Sequence, residues 1–261
     1  MLRMYRMLVI ASFRSRMQHP FNFVFGTLMA AVVNVVEFSL IAVVLSRFGS
    51  VQGWSTYEVA YLYGAILLSK TLYRTVASDV HHLEKYLVSG DLDQMLTRPV
   101  PVLLALMAQN VTIYVAEFLQ SAVMLAISLS VLIGSGQTSW LAVPQTLFVV
   151  LCGAIICFAI GLATATAGFW ITRIRELQVI TEDSARFAAQ YPLSLYPKWL
   201  RYVLCTAIPV GFANYIPSLY VVRGELGGWI LAATALFTAG CLALSMRFWR
   251  FGLSRYQSAG S

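Results

Sequence analysis

From Trp140 to Ile171 the chain runs without a single charged residue. About 20 apolar residues are enough to carry a helix across a bilayer, so this stretch is long enough to cross and still emerge. A run of that length in a soluble protein needs a large, charged envelope around it. Here 59% of the 261 residues are hydrophobic and 11% are charged, against roughly 25% charged in a soluble domain. Too few charges remain to cover a water-facing surface, and lipid is the solvent in which such a composition is stable. The sequence therefore predicts an all-α integral membrane protein, with a single transmembrane domain over 1–261.

Six spans are expected. The first runs over 21–46, after Pro20, and the second over 58–77. The third covers 102–133, longer than a bilayer requires, so it tilts or projects into water; Gly134-Ser135-Gly136 ends it. The fourth is 140–171, stopped by Arg173 and Arg175. The fifth, 176–193, carries Glu182, Asp183 and Arg186 and is the least apolar. The sixth is 228–248. Residues 1–18 are too basic to span and predict a helix lying at the membrane surface. No cleavable signal peptide is expected, because Arg3, Arg6, Arg14 and Arg16 interrupt the N-terminus. Between the fifth and sixth spans, 194–227 holds Pro197, Pro209 and Pro217 among apolar runs too short to cross. Such runs fit re-entrant or interfacial helices.

The net charge of +7 does not point to nucleic acid, because the basic residues flank apolar segments and form no dense stripe. They act as topology signals. With the N-terminus in the cytoplasm, the arginines of the tail and of 1–18 fall inside, together with Lys70, Arg74, Lys85, Arg98, Arg173 and Arg175. Only Arg47, Lys198, Arg201 and Arg223 fall outside. This bias predicts a multi-pass protein with both termini cytoplasmic.

The most charged stretch is the inner loop, 78–101. Ser78 or Asp79 is placed to cap a helix start. Val80, Leu83 and Leu87 then share one helical face. Gly90 suits a left-handed helix end, Asp91 opens a second short helix holding Asp93, and Arg98-Pro99 closes it. A helix this short is unstable alone, so its apolar face needs a packing partner. Two partners fit: the chain's own bundle and headgroups, or a soluble protein on the cytoplasmic side.

Two carboxylates sit well inside spans, Glu37 in the first and Glu117 in the third. An ionisable group at the bilayer centre costs about 2–4 kcal/mol and normally faces protein or a wet cavity. Asn110, Tyr114, Glu117, Ser121, Met124 and Ser128 recur four and three apart, along one helix face, and Asn34 and Glu37 share a face of the first span. These faces line a polar cavity or hydrogen-bond between helices. Gly153, Cys157, Gly161, Ala165 and Gly168 in the fourth span, and Ala235, Ala239 and Ala243 in the sixth, read as close-packing faces. The four cysteines, Cys152, Cys157, Cys205 and Cys241, read as small buried thiols. Gly64 to Thr71 imitates a phosphate-binding loop but lacks its second glycine and lies in an apolar helix. Without a catalytic constellation the chain is not expected to be an enzyme.

Three clusters carry a resemblance. They are Gly90-Asp91-Leu92-Asp93 with Leu96 and Arg98-Pro99; Tyr191-Pro192, Tyr196-Pro197 and Trp199-Leu200 leading to Ile208-Pro209-Val210 and Asn214-Tyr215-Ile216-Pro217; and Tyr256 with Ser258. In these the chain resembles the type-2 permeases of ATP-binding-cassette exporters, and more narrowly a bacterial subfamily of about 260 residues. The resemblance implies an inner-membrane permease half with an N-terminal surface helix. It implies that Asp79, Val80, Leu83, Leu87, Gly90, Asp93 and Arg98 couple to a separate ATPase subunit, which would hold ATP and Mg while this chain binds no cofactor. It implies a partner permease, identical or related, and outer re-entrant helices in which Tyr191, Pro192, Pro197, Pro209 and Pro217 form a gate. Substrate would pass Asn34, Glu37, Asn110, Tyr114 and Glu117. The competing expectation is an ion-coupled secondary transporter that uses Glu37 and Glu117 as proton sites.

Overall fold

The computed structural model describes residues 10, 21, 24–26, 28–33, 35–36, 39, 43, 50–51, 53–109, 111–112, 114–171 and 173–256. The surface helix expected over 1–18 and most of the first span lie outside these residues, although every described position between 21 and 43 is helical.

A two-residue antiparallel pairing of β1 (Ser50–Val51) with β2 (Trp54–Ser55) leads into α1 (Thr56–Ala77). Ser55 caps it. Its hydroxyl accepts from the Glu58 backbone N–H at 3.3 Å, and Glu58 Oε2 accepts from the Ser55 N–H at 2.7 Å. This reciprocal box satisfies two orphan donors at the helix start. The 22 residues of α1 reach about 33 Å, and most are buried.

A 3-10 turn (Ser78–Val80) follows, then α2 (Leu83–Ser89) and α3 (Asp91–Leu96). The hinge between them is Gly90 at φ +74°, the left-handed position expected of a glycine there. The capping role expected of Asp79 is not what the structure shows. Asp79 instead accepts a short hydrogen bond from the Tyr86 hydroxyl, and His82, without a side-chain cap, precedes α2.

The single helix expected over 102–133 is two: α4 (Val102–Gln109) and α5 (Val115–Gly134), with Tyr114 at the start of the second. Gly136, at φ +74°, closes α5, with the Gly136 and Gln137 N–H groups donating to Ile133 and Leu132 carbonyls. Next comes α6 (Ala142–Ala167). Pro144 sits in its first turn, where a missing N–H costs nothing.

The fifth segment is a composite: α7 (Arg175–Gln178), a π-helical stretch (Val179–Ser184) and α8 (Ala185–Ala189). Together these span roughly 22 Å, short of the ~30 Å hydrocarbon core. Beyond Pro192, α9 (Lys198–Cys205), a π turn (Gly211–Tyr215) and α10 (Ile216–Arg223) fill the proline-rich region, and α11 (Trp229–Arg255) ends the fold.

Among the described residues three helices, α5, α6 and α11, are long and apolar enough to cross a membrane. They turn Phe118, Leu119, Val123, Leu147, Leu151, Leu236 and Leu244 outward, the side chains that suit lipid. Inside, α1 packs on α5 and α6, and α6 packs on α11. The small residues of α6 act as expected. A Cβ at Gly153 would lie 2.6 Å from both the Ala213 carbonyl oxygen and Ser69 Oγ, so only glycine permits this approach. The expectation for α11 does not hold: Ala235, Ala239 and Ala243 face outward. Its buried stripe is Ile230, Thr234, Thr238, Ser245, Trp249 and Gly252. Each hydroxyl there bonds a carbonyl of its own helix, so these side chains pack as small, self-satisfied groups.

Candidate functional site: a charged cavity beside the turn after α1

Sequence spacing puts Lys70 and Arg74 one turn apart on α1, and the π-helical stretch puts Glu182 and Asp183 opposite them. Lys70, only 8% exposed, approaches Asp183 Oδ1 to 2.6 Å. Glu182 is buried as well. It accepts from the Tyr73 hydroxyl at 3.3 Å and lies 3.0 Å from His81 Nδ1. Charges so placed are stable only when paired and hydrogen-bonded. A cavity of about 170 Å³ opens beside them. Its wall is built from Leu67, Lys70, Thr71 and Arg74 on α1, Tyr114 and Glu117 at the head of α5, and Asp183 and Arg186 on the fifth segment. The Arg74 guanidinium lies 5.8 Å from the Tyr114 ring centroid. A smaller chamber of about 20 Å³ shares Lys70 and Arg186 with this cavity.

The network continues to the turn after α1 and the start of α2. Gln178 Nε2 donates to the His81 carbonyl at 2.5 Å, and the Ile174 N–H donates to Glu84 Oε2 at 2.9 Å. The segment that holds Glu182 and Asp183 is therefore bonded at its start to the turn that follows α1.

Of the residues expected to line a pathway, Tyr114 and Glu117 meet in this cavity, while Asn34, Glu37 and Asn110 lie outside the described residues. Ser121, Met124 and Ser128, expected on the same face, are buried and do not reach the cavity wall.

The apolar face expected on the inner loop has a partner within the chain. Val80 and Leu83 are fully buried in the chain's own core with Tyr73, Leu92, Leu162 and Trp249, and Leu87 packs on the same cluster. The apolar face is spent internally, as one of its two sequence readings allowed. What faces the solvent at this end is a groove of about 560 Å³ bounded by His82, Glu84, Lys85, Val88 and Arg175. Arg98 is exposed beyond α3. Asp93 sits in the first turn of α3. Burial, and then the Asp93 carboxylate, push the neighbouring Tyr256 hydroxyl up from its ordinary pKa.

At the opposite end a clamp closes the bundle. Arg223 Nε donates to Glu58 Oε1 at 2.7 Å, Arg223 Nη2 donates to the Gly53 carbonyl at 2.5 Å, and Gln137 Nε2 donates to Glu58 at 2.8 Å. The guanidinium lies 3.9 Å from the Trp54 ring centroid. The bond to Glu58 raises the Arg223 pKa above its usual value. Of the gate residues, Pro192 and Pro217 are buried, Tyr191 packs on the core cluster that contains Trp54, Pro209 is half-buried, and exposed Pro197 precedes α9. Asn214, fully buried, fastens this region by donating to the carbonyls of Leu62 (2.9 Å) and Ala189 (2.8 Å).

The sequence reading treated Lys70 and Arg74 as topology signals and missed the cluster. The available signal was the matching of two cations in the second apolar segment with two anions in the fifth. Likewise Ser55-x-x-Glu58 announced a capping box, though not the Arg223 partner.

Comparison with curated proteins found no match. Residues 31–260 match the family described as ABC-2 family transporter protein, a span that takes in the charged cavity, the turn after α1 and the Arg223–Glu58 clamp. Together with three apolar helices of membrane-crossing length, that match makes this chain a membrane permease belonging to the ABC-2 transporter family.

Proposed function

We propose that the chain is the permease half of an exporter driven by a separate ATP-binding-cassette ATPase, which holds ATP and Mg and performs the hydrolysis. A second permease, identical or related, completes the pathway. The protein sits in the bacterial inner membrane with six spans and both termini in the cytoplasm, and 194–227 forms re-entrant helices that act as an outer gate around Tyr191, Pro192, Pro197, Pro209 and Pro217. The ATPase docks on the exposed side of α2, around Lys85 and Val88, rather than on Val80, Leu83 and Leu87. Cargo passes Tyr114 and Glu117, with Asn34, Glu37 and Asn110 further along the route.

The observation that carries this reading is the bonded link from the cytoplasmic turn to the cavity wall, through His81, Glu84, Gln178 and Glu182. A push on α2 reaches the groups that face the cargo, and rigid-body transitions of this kind recur in transport.

The test is gentle purification followed by identification of the chains that come with the permease. A co-purifying ATPase is expected, and Lys85→Glu with Val88→Glu should lose it while elution and melting temperature stay as in the wild type. Transport by the purified chain alone, driven by a pH gradient, would instead establish the ion-coupled carrier.

A further inference from the structure

Three cations face the cavity between α1, α5 and the fifth segment, and Lys70 alone among them is neutralised. It pairs with Asp183 at 2.6 Å. Arg74 and Arg186 form no ion pair among the described residues. The Nε of each is buried with no acceptor among those residues. Arg74 lies near the Tyr114 ring and Arg186 lies 4.2 Å from the Phe187 ring centroid. Stacking of this kind orients a guanidinium plane and leaves its fork of donors unfilled. Buried donors normally have partners, and those that lack one call for an explanation. Glu117 and Asp183 in this wall and Glu182 in the adjoining chamber match the cations in number, yet none of them reaches either guanidinium, so the two unfilled forks are what call for an anion.

The surroundings indicate what the anion is attached to. An apolar groove of about 470 Å³ lies between α6, α11 and the fifth segment, lined in part by Leu244 and Phe248. Ile160 and Thr181 belong both to this groove and to the small chamber that shares Lys70 and Arg186 with the charged cavity. An anion pocket and an apolar groove that meet at one helical segment match the two ends of an amphiphile.

We propose that Arg74 and Arg186, with Lys70 as a third donor, bind the phosphate or carboxylate group of an amphiphilic cargo. Arginine suits this role because its fork matches such oxyanions at two points. The proposal rests on the permease reading for calling the bound molecule cargo, while the anion site is measurable without any ATPase.

The experiment uses the purified full chain in mixed micelles of phosphatidylglycerol and phosphatidylcholine, with retained lipid read by native mass spectrometry. The wild type should retain phosphatidylglycerol over phosphatidylcholine by about tenfold, the worth of one charge-assisted hydrogen bond. Arg74→Gln and Arg186→Gln should each remove most of that preference. Arg74→Lys and Arg186→Lys, which keep the charge and the fold, should keep part of it, and Lys198→Gln on the outer helix α9 should leave it intact. In a second arm, inorganic pyrophosphate is added in phosphate-free buffer. Thermal stabilisation of the wild type but not of the Gln variants, without phosphatidylglycerol preference, would keep the anion site and assign it to a free anion.

Equal retention of both lipids by the wild type, with no response to pyrophosphate, overturns the proposal. So does a preference or stabilisation that both Gln variants share in full. ATPase co-purification is a separate readout: its loss with anion binding intact would sink the permease reading alone.

Discussion

Replacing Gly161 with alanine should loosen the contact between α1 and α6 and disturb the charged cavity at the same stroke. A Cβ at this position would overlap the Tyr73 hydroxyl, and it would lie 2.8 Å from Tyr73 Cζ and 3.3 Å from Glu182 Oε2. The ring has little room to swing away. Tyr73 is 4% exposed, and Phe158 stands edge-on to it with centroids 6.1 Å apart. Overpacking of a filled core costs about 1–3 kcal/mol. If the ring yields, its 3.3 Å bond to Glu182 goes too, and a hydrogen bond to a charged acceptor contributes about 1.5–3 kcal/mol. Gly161→Ala should therefore destabilise by about 2.5–6 kcal/mol, which lowers the melting temperature by roughly 5–24 °C for a chain of this size. Thermal unfolding in detergent measures it, alongside Tyr73→Phe and the double variant. Tyr73→Phe removes both the overlapping atom and the bond, so the two changes should fall short of additive by at least ~1 kcal/mol. An unchanged melting temperature for Gly161→Ala, or strict additivity in the cycle, refutes the packing argument.

Other sites give sharper or milder effects. Arg223→Ala leaves Glu58, 3% exposed, without its cation; breaking such a pair costs about 3 kcal/mol, and Glu58→Gln with Arg223→Met should recover most of the lost melting temperature. Asn214→Leu strips two buried carbonyls of their donor, a loss of about 2–4 kcal/mol, read as faster amide exchange across Ile216–Arg223. Lys70→Met alone leaves the half-buried Asp183 carboxylate without its cation, whereas Lys70→Met with Asp183→Leu should sit within about 1 kcal/mol of the wild type, since a pair with one partner 37% exposed adds little net stability. The double variant should nonetheless transport poorly, and ATP hydrolysis stimulated in the proposed complex with the ATPase is the measurement.

The parts of this fold that were legible in the sequence are those governed by one local rule. The uninterrupted apolar run of α6 and the αL glycine at Gly90 needed only nearest-neighbour chemistry. The break between α4 and α5 was hidden because no proline or glycine marks residues 110–114, and apolar composition continues straight across it. The face of Val80, Leu83 and Leu87 was visible, but its partner was not: periodicity reports that a stripe is buried and is silent on what buries it. The charged cavity was missed for a related reason. Lys70 and Arg74 carry the same charges whether they mark the inner edge of a span or reach inward to Asp183, 113 positions later in the chain. Only the close approach that Gly153 and Gly161 permit between α6 and α1 builds the wall against which the fifth segment lies.

That arrangement also explains how a polar helix survives in a lipid-soluble protein. Facing hydrocarbon, Lys70 and Arg74 would each cost about 2.5–3.5 kcal/mol. The fold places α1 against α5 and α6, which turn leucine, valine and isoleucine outward, so the cations meet carboxylates and tyrosine instead of acyl chains. Pairing removes the penalty without generating much surplus stability, and the groups are thus held by a balance that a small displacement can tip. The fifth segment carries the anionic half of this balance. It holds Glu182, Asp183 and Arg186, it is bonded at its start to the turn after α1, and its Val179–Ser184 stretch is π-helical. A π turn is a rare geometry concentrated at functional sites. Conversion of that stretch to an α-turn would rotate Glu182 and Asp183 away from His81 and Lys70, and coupling between distant sites requires an element of this kind with two discrete arrangements.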